Sequence, residues 1–213
     1  MYERERQGMI DKLVASGYLK SETVIEAMKK VERHLFVPEN VKMHAYADQP
    51  LPVGEGQTIS APHMVAMMCE LLKLEKGLKV LEIGAGTGYH ACVVAEIIKG
   101  GKIYSVESKT RLVERARENI ISAGCTGVEL IEGDGTEGYE KEAPYDRVFV
   151  TAGAPGIPPP LIEQLKAGGR LLMPVGTRYV QSLVQADKTT SGDVKKRTLS
   201  GCAFVPLIGK HGW

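Results

Sequence analysis

Val80-Leu81-Glu82-Ile83-Gly84-Ala85-Gly86-Thr87-Gly88-Tyr89 is the stretch that decides the fold. The apolar run Leu78–Ile83, flanked by Gly77 and Gly84, reads as a buried strand. Tyr89–Ile98 reads as a helix closed by Gly100 and Gly101. A strand that passes through three glycines into a helix removes side chains where a ligand must lie against backbone. It also points the helix N-terminus at that ligand. A Walker phosphate loop would need Gly-Lys-Ser/Thr, which does not follow here. A dinucleotide fingerprint would need G-x-G-x-x-G. The glycines stand at 84, 86 and 88, so the third comes one residue early.

Outward from this loop the pattern alternates. Lys102–Val106, Val128–Ile131, Arg147–Thr151 and Arg170–Pro174 read as strands. Lys109–Ala123 reads as a helix with Leu112, Val113, Ala116 and Ile120 on one face, and Leu161–Leu165 as a short helix. Strand-helix alternation predicts an α/β fold: a doubly wound, mostly parallel, Rossmann-like sheet covered on both faces. Tyr179–Ala186 and Lys195–Val205, separated by the turn cluster Thr189–Asp193, predict an antiparallel C-terminal edge. Residues 1 to about 35 predict two extra N-terminal helices parted by Gly17, with Ser21 as N-cap of the second. Phe36–Ser60 holds three prolines and two glycines with little periodicity and is expected to be irregular; a segment of that kind is usually functional. The reading is one domain over 1–213. Residues 1–60 form helices and a covering segment, 61–175 the ligand-binding core, and 176–213 the last strands.

Composition bounds what the chain does. Of 213 residues, 43% are hydrophobic and 25% charged, which excludes a disordered or collagen-like chain. Lys and Arg number 27 against 26 Asp and Glu, so no basic field asks for a nucleic acid. The charged start MYERERQGMIDK and the lack of a long apolar run lead us to expect a cytoplasmic protein without a membrane partner. Cys69, Cys92, Cys125 and Cys202 show no zinc-ligand spacing, so no metal is expected and the thiols are expected to be free.

With the two rival loops excluded, the glycine loop resembles the nucleoside-binding loop of S-adenosylmethionine methyltransferases, E-x-G-x-G-x-G, carried here by Glu82, Gly84, Ala85, Gly86 and Gly88. Glu107 ends the next strand, 19 residues beyond Gly88, where an acid grips ribose hydroxyls. Asp134, after the third strand, can accept from an adenine amino group, with Gly135 keeping backbone close to the ring.

The whole chain resembles the protein-L-isoaspartate O-methyltransferase family. The resemblance lies in Pro50-Leu51-Pro52-Val53-Gly54-Glu55-Gly56-Gln57-Thr58-Ile59-Ser60-Ala61-Pro62-His63 and in Gly133-Asp134-Gly135-Thr136-Glu137-Gly138. It continues through Ala143-Pro144-Tyr145-Asp146, Leu165–Leu171 and Phe204-Val205-Pro206-Leu207. The first segment is the specific one, because generic methyltransferases lack it; Glu55 departs from the uncharged or basic residue of many relatives. The resemblance implies the methyltransferase fold and S-adenosyl-L-methionine as cofactor, leaving as S-adenosyl-L-homocysteine. It implies transfer of the methyl group to the free α-carboxylate of L-isoaspartyl residues in damaged proteins and peptides. It further implies that Ser60 lies at the acceptor carboxylate and that Ala61, Pro62 and His63 line the cofactor.

That chemistry needs no general base, since the acceptor is an anion at neutral pH. Ser60, just before Pro62 in a helix expected to begin near Ala61, also suits a helix N-cap, and the two roles are compatible. Gln57, Thr58 and Val205 are the candidates for holding the acceptor peptide. A monomer is expected. The alternative is a methyltransferase acting on nucleic acid or a small molecule. Against it, the place after the fourth strand reads Thr151-Ala152-Gly153-Ala154-Pro155 rather than an Asn/Asp-Pro-Pro-aromatic motif. A non-catalytic cofactor-binding module is a third reading, and the intact Ser60 speaks against it.

Overall fold

Alternating strand and helix patterns leave this chain one way to bury its apolar residues: helices layered on a sheet. In the computed structural model, which describes residues 2–213, the elements run α1 (Tyr2–Ala15), α2 (Glu22–Lys30), β1 (Leu51–Gly54), β2 (Gln57–Ile59), α3 (Pro62–Leu72), β3 (Lys79–Ile83) and α4 (Tyr89–Ile97). They continue as β4 (Lys102–Glu107), α5 (Thr110–Ser122), β5 (Val128–Glu132), β6 (Tyr145–Val150), α6 (Pro159–Glu163), β7 (Leu165–Gly176), β8 (Gln181–Lys188) and β9 (Val194–Cys202).

Seven strands pair in the order β5-β4-β3-β6-β7-β8-β9. The first five neighbours are parallel, and β8 and β9 close the sheet antiparallel. From β3 the chain winds outward through β4 to β5, then returns to lay β6 on the other side of β3. The order reverses between β3 and β6, and the crevice at the carboxyl ends of such strands is where doubly wound sheets bind ligands. Alternation along the strands sorts side chains to two faces. Val80, Phe149 and Leu172 join the core under α1–α4, while Leu81, Val148, Val150, Leu171 and Met173 join a second core that includes Leu161 of α6. The apolar face of α5 is buried at Leu112, Val113, Ala116 and Ile120, as its spacing predicts.

Three expectations are corrected. Ser21 occupies the N-cap position of α2 but does not cap it: its hydroxyl bonds the Glu70 carboxylate on α3, tying two helices together. The segment before Ser60 is not wholly irregular. It contains a 3₁₀ stretch over Glu39–His44 and the β1–β2 hairpin, whose turn residues Glu55 and Gly56 have φ of +52° and +68°, as a two-residue type I′ turn requires. The hairpin packs on α5, where Arg115 donates to the Val53 carbonyl (2.7 Å) and Arg111 pairs with Glu55 (3.2 Å). Cys92 and Cys125 are not free thiols. They form a disulfide, because the fold brings α4 and the α5–β5 turn together with Cα atoms 5.8 Å apart.

Candidate active site

Three glycines turn β3 into α4 with φ of +93°, +56° and +88° at Gly84, Gly86 and Gly88. A Cβ at Gly84 would lie 2.3 Å from the Thr151 hydroxyl, and one at Gly88 would lie 2.9 Å from Ile120. These two glycines are required by close packing, whereas Gly86 faces open space with nothing within 4 Å. The Gly86 N–H donates to Glu107 (2.9 Å), whose other oxygen accepts from the Ser108 and Lys109 N–H groups (2.9 and 3.0 Å). Glu107 therefore aims a backbone-held carboxylate into a cleft lined also by Gln57, Thr58, Gly84, Gly86, Gly135, Thr151, Val205 and Ile208. The cleft and the solvent at its mouth together span about 750 Å³.

Behind the loop lies a narrow chamber lined by Ser60, Glu82, Ala85, Thr87, Tyr89 and His90, with Thr58 and Thr151 at its front. Glu82 is fully buried; one oxygen accepts from Ser105 on the neighbouring strand, and the other, Oε1, has no protein partner. Burial pushes its pKa up to about 8, against the Ser105 bond and with the help of the Glu107 charge. Thr87 Oγ1, the Tyr89 hydroxyl and His90 Nδ1 also lack protein partners. Burial draws His90 down to about 3, so its imidazole is neutral. Buried polar groups need hydrogen bonds, so this chamber calls for water or the polar end of a ligand.

A second cavity opens on the other side of Ser60. It is lined by Pro50, Thr58, Ser60, Ala61, His63, Met64 and Thr151, together with Gly201–Val205. Ser60 borders both chamber and second cavity, and Thr58 and Thr151 border all three spaces.

The structure distributes the expected residues unevenly. Glu107, Gly84, Gly86 and Gly135, expected at the cofactor, line one cleft, and Gln57 and Thr58, expected at the acceptor peptide, line the same cleft. Val205 stands between the cleft and the second cavity. Ala61 and His63 line the second cavity, not the cleft, and Pro62 is buried. His63 Nδ1 pairs with Asp48 (2.9 Å), which also accepts from the His63 backbone N–H (2.8 Å). The N-cap of α3 is Ala61, with no side-chain cap, so Ser60 is not the helix cap; Asp48 satisfies the first turn instead.

Asp134 does not line the cleft. One oxygen accepts from the backbone and hydroxyl of Thr136 (2.8 and 2.7 Å), and the other accepts from the Lys210 N–H (2.9 Å). Burial opposes its charge, but these bonds outweigh burial and hold it below the ordinary aspartate range. It thereby ties down the C-terminal segment, where Trp213 donates to the Gly153 carbonyl (3.0 Å) and Ile208 reaches the cleft. Thr151 and Ile208 are among the cleft residues that sequence reasoning missed. A signal existed for Thr151, which follows a central strand at the sheet edge where ligands bind. None existed for Ile208. Among the described residues no group of His, Cys, Asp and Glu could hold a metal, and no helix is long and apolar enough to cross a membrane.

Residues 4–212 match the profile of the family described as protein-L-isoaspartate(D-aspartate) O-methyltransferase. The chain is 55% identical over 211 residues to a protein-L-isoaspartate O-methyltransferase of Methanothermobacter thermautotrophicus, covering 98% of this chain and 97% of that one. A solved protein-L-isoaspartate O-methyltransferase superposes with a TM-score of 0.89 at 29% identity, covering 97% of this chain and 67% of that one. A Plasmodium falciparum structure described as a member of this enzyme class, in complex with S-adenosyl-L-homocysteine, superposes with a TM-score of 0.84 at 26% identity, covering 95% and 98%.

Proposed function

The chain belongs to the protein-L-isoaspartate(D-aspartate) O-methyltransferase family, and we propose how its residues divide the work of methylating isoaspartyl residues in damaged proteins. When bound, S-adenosyl-L-methionine supplies an electrophilic methyl group. The residues fit that molecule: Glu82 Oε1 is a buried acceptor without a partner, suited to an ammonium, and Gly86 leaves open the space beside Glu107. Glu107 would hold the ribose hydroxyls, Gly135 and Ile208 would wall the base, and Asp134 would act near the base by fixing Lys210 and with it Ile208.

The observation that carries the reading is the position of Ser60. It stands with Thr58 and Thr151 where the donor's chamber meets the second cavity. A carboxylate entering from that cavity would meet the Ser60 hydroxyl, which binds one oxygen and leaves the other to attack. No base is needed, and the two neighbouring acids are accounted for. Glu107 is engaged by three backbone N–H groups, and Glu82, behind the loop, is held by Ser105 and would face the donor's ammonium. The residues then contribute alignment in a dry site, which is worth roughly 7–11 kcal/mol of a barrier.

Paired synthetic peptides test this, one with L-isoaspartate and one with L-aspartate, incubated with radiolabelled methyl donor. Base-labile methyl esters are expected on the isoaspartyl peptide alone. The aspartyl carboxylate is one methylene further from the backbone, about 1.5 Å, and a misplacement of about 1 Å costs on the order of a hundredfold. Equal labelling of the two peptides overturns the assignment.

A further inference from the structure

We propose that the cavity beyond Ser60 is a side-chain subsite that takes an apolar side chain from a residue flanking the isoaspartate, with Met64, Cys202 and Phe204 setting the preference. This rests on the activity proposed above and narrows its substrate class.

The cavity and the cofactor cleft share only Thr58, Thr151 and Val205, so the two spaces meet at the reacting end and diverge from it. Beyond Ser60 the wall is Pro50, Ala61, Met64 and the strip Gly201–Phe204. Its polar side chains are Thr58, Ser60 and Thr151 at the reacting end, and His63, whose Nδ1 is engaged by Asp48. No Lys or Arg lines it. A charged side chain there would lose its hydration without a partner, whereas an apolar one gains by burial.

The wall is also held in place. Gln181, 1% exposed, accepts from the Phe204 N–H (2.8 Å) and donates to the Thr177 carbonyl (2.6 Å), and Met64 is buried in the first turns of α3. The carboxylate of an isoaspartyl residue and its amide nitrogen are borne by the same α-carbon. A carboxylate at Ser60 therefore places the flanking chain at the mouth of this cavity.

Cys202 makes the inference testable. Cys92 and Cys125 are paired and Cys69 is buried, so among the described residues Cys202 is the free thiol with solvent access. Burial pushes its pKa up to about 11, so at neutral pH it is a protonated, weakly polar wall and not a nucleophile.

The experiment compares isoaspartyl peptides carrying Leu, Ala or Asp at each flanking position. For the wild-type protein, kcat/KM for the Leu peptide is expected to exceed that for the Asp peptide by about tenfold or more, the scale on which one apolar group discriminates in a pocket. Cys202→Trp, which fills the cavity, is expected to raise KM for the Leu peptide and cancel its advantage. The Kd of S-adenosyl-L-homocysteine, measured by calorimetry, should stay within about twofold, because the cleft does not include this side chain. Labelling of the native protein with N-ethylmaleimide at pH 8.5 does not depend on the variant folding. The Leu peptide is expected to slow labelling of Cys202, and S-adenosyl-L-homocysteine alone is not; Cys202→Ser should abolish the labelled product. Equal kcat/KM for all flanking residues, or protection by S-adenosyl-L-homocysteine alone, overturns the subsite. Protection by the Leu peptide without methylation of any isoaspartyl peptide overturns the activity and keeps the subsite. No methylation and no protection overturns both.

Discussion

The cleft proposed for the cofactor and the cavity beyond Ser60 are neighbours built in different ways. The cleft is mixed in polarity but anchored: its loop, Glu107 and Gly135 follow successive parallel strands, and backbone N–H groups fix the carboxylate. The cavity is mostly apolar and is assembled from the first turns of α3, the segment before it, the end of β9 and the strip that follows. Fixed polar contacts recognise one molecule with high discrimination, because each unpaired group is costly. Apolar walls discriminate by only about 1–3 kcal/mol per methylene. The proposed division would serve a catalyst with one donor and many damaged acceptors.

Variants can break the comparison, and Ser60→Ala is expected to have the largest effect. Turnover should fall about ten- to a thousandfold, since positioning of a reacting group is steeply distance-dependent. Melting should be nearly unchanged, because Ala61 and not Ser60 is the N-cap of α3. A melting loss of about 1 kcal/mol with activity retained would return Ser60 to a capping role.

The next effect falls on the body beneath the cleft. Reducing Cys92–Cys125, which closes a sequence separation of 33 residues, should cost about 3–4 kcal/mol of stability on the loop-entropy account. Peptide discrimination should survive as long as the protein stays folded. Denaturation with and without reductant, each paired with the flanking-residue assay, checks both statements.

Glu107→Ala should weaken cofactor binding by about 1.5–3 kcal/mol, the worth of hydrogen bonds to a charged group. It should also lower stability, because three backbone N–H groups lose their acceptor. Calorimetry with unchanged affinity would remove Glu107 from the cleft's recognition set.

Glu82 gives the pH signature. Its folded pKa of about 8 lies above the ordinary glutamate value. Between the two, the folded protein holds a proton that the unfolded chain has released. The contribution of Glu82 to stability therefore falls as pH rises across that window. Glu82→Gln should flatten that slope in the ligand-free protein while weakening the cofactor, two changes of opposite sense. A ligand ammonium favours the ionised carboxylate, so cofactor binding should release a proton, seen as buffer-dependent heats in calorimetry. Heats that do not depend on buffer would exclude Glu82 as the ammonium's partner.

Asp48→Ala is expected to be the mildest, at about 1 kcal/mol of stability, the typical value of an N-terminal helix acceptor. It should perturb acceptor KM more than cofactor affinity, because Asp48 orients His63 on the cavity side. An effect confined to the cofactor would place His63 in the cleft after all.

Much of this protein is determined by its sequence alone, wherever the information is local. The glycine loop, the strand-helix alternation and the buried face of α5 depend on residues a few positions apart, whose periodicity and backbone freedom act within one element. Glu107 was legible because a carboxylate at the end of a parallel strand has a fixed place relative to the loop. Other features were decided only by tertiary structure. Thr151 bonds the Gly84 carbonyl across 67 positions, Asp134 turns to Lys210 across 76, and Trp213 reaches Gly153 across 60. The Cys92–Cys125 pairing, the capping of α3 by Asp48 and the turn of His63 toward the cavity are of the same kind. A side chain's hydrogen bonds go to whichever partner the fold brings within about 3 Å. For these residues that partner is set by how β3, β6 and the C-terminal segment pack together, and no spacing along the chain encodes it.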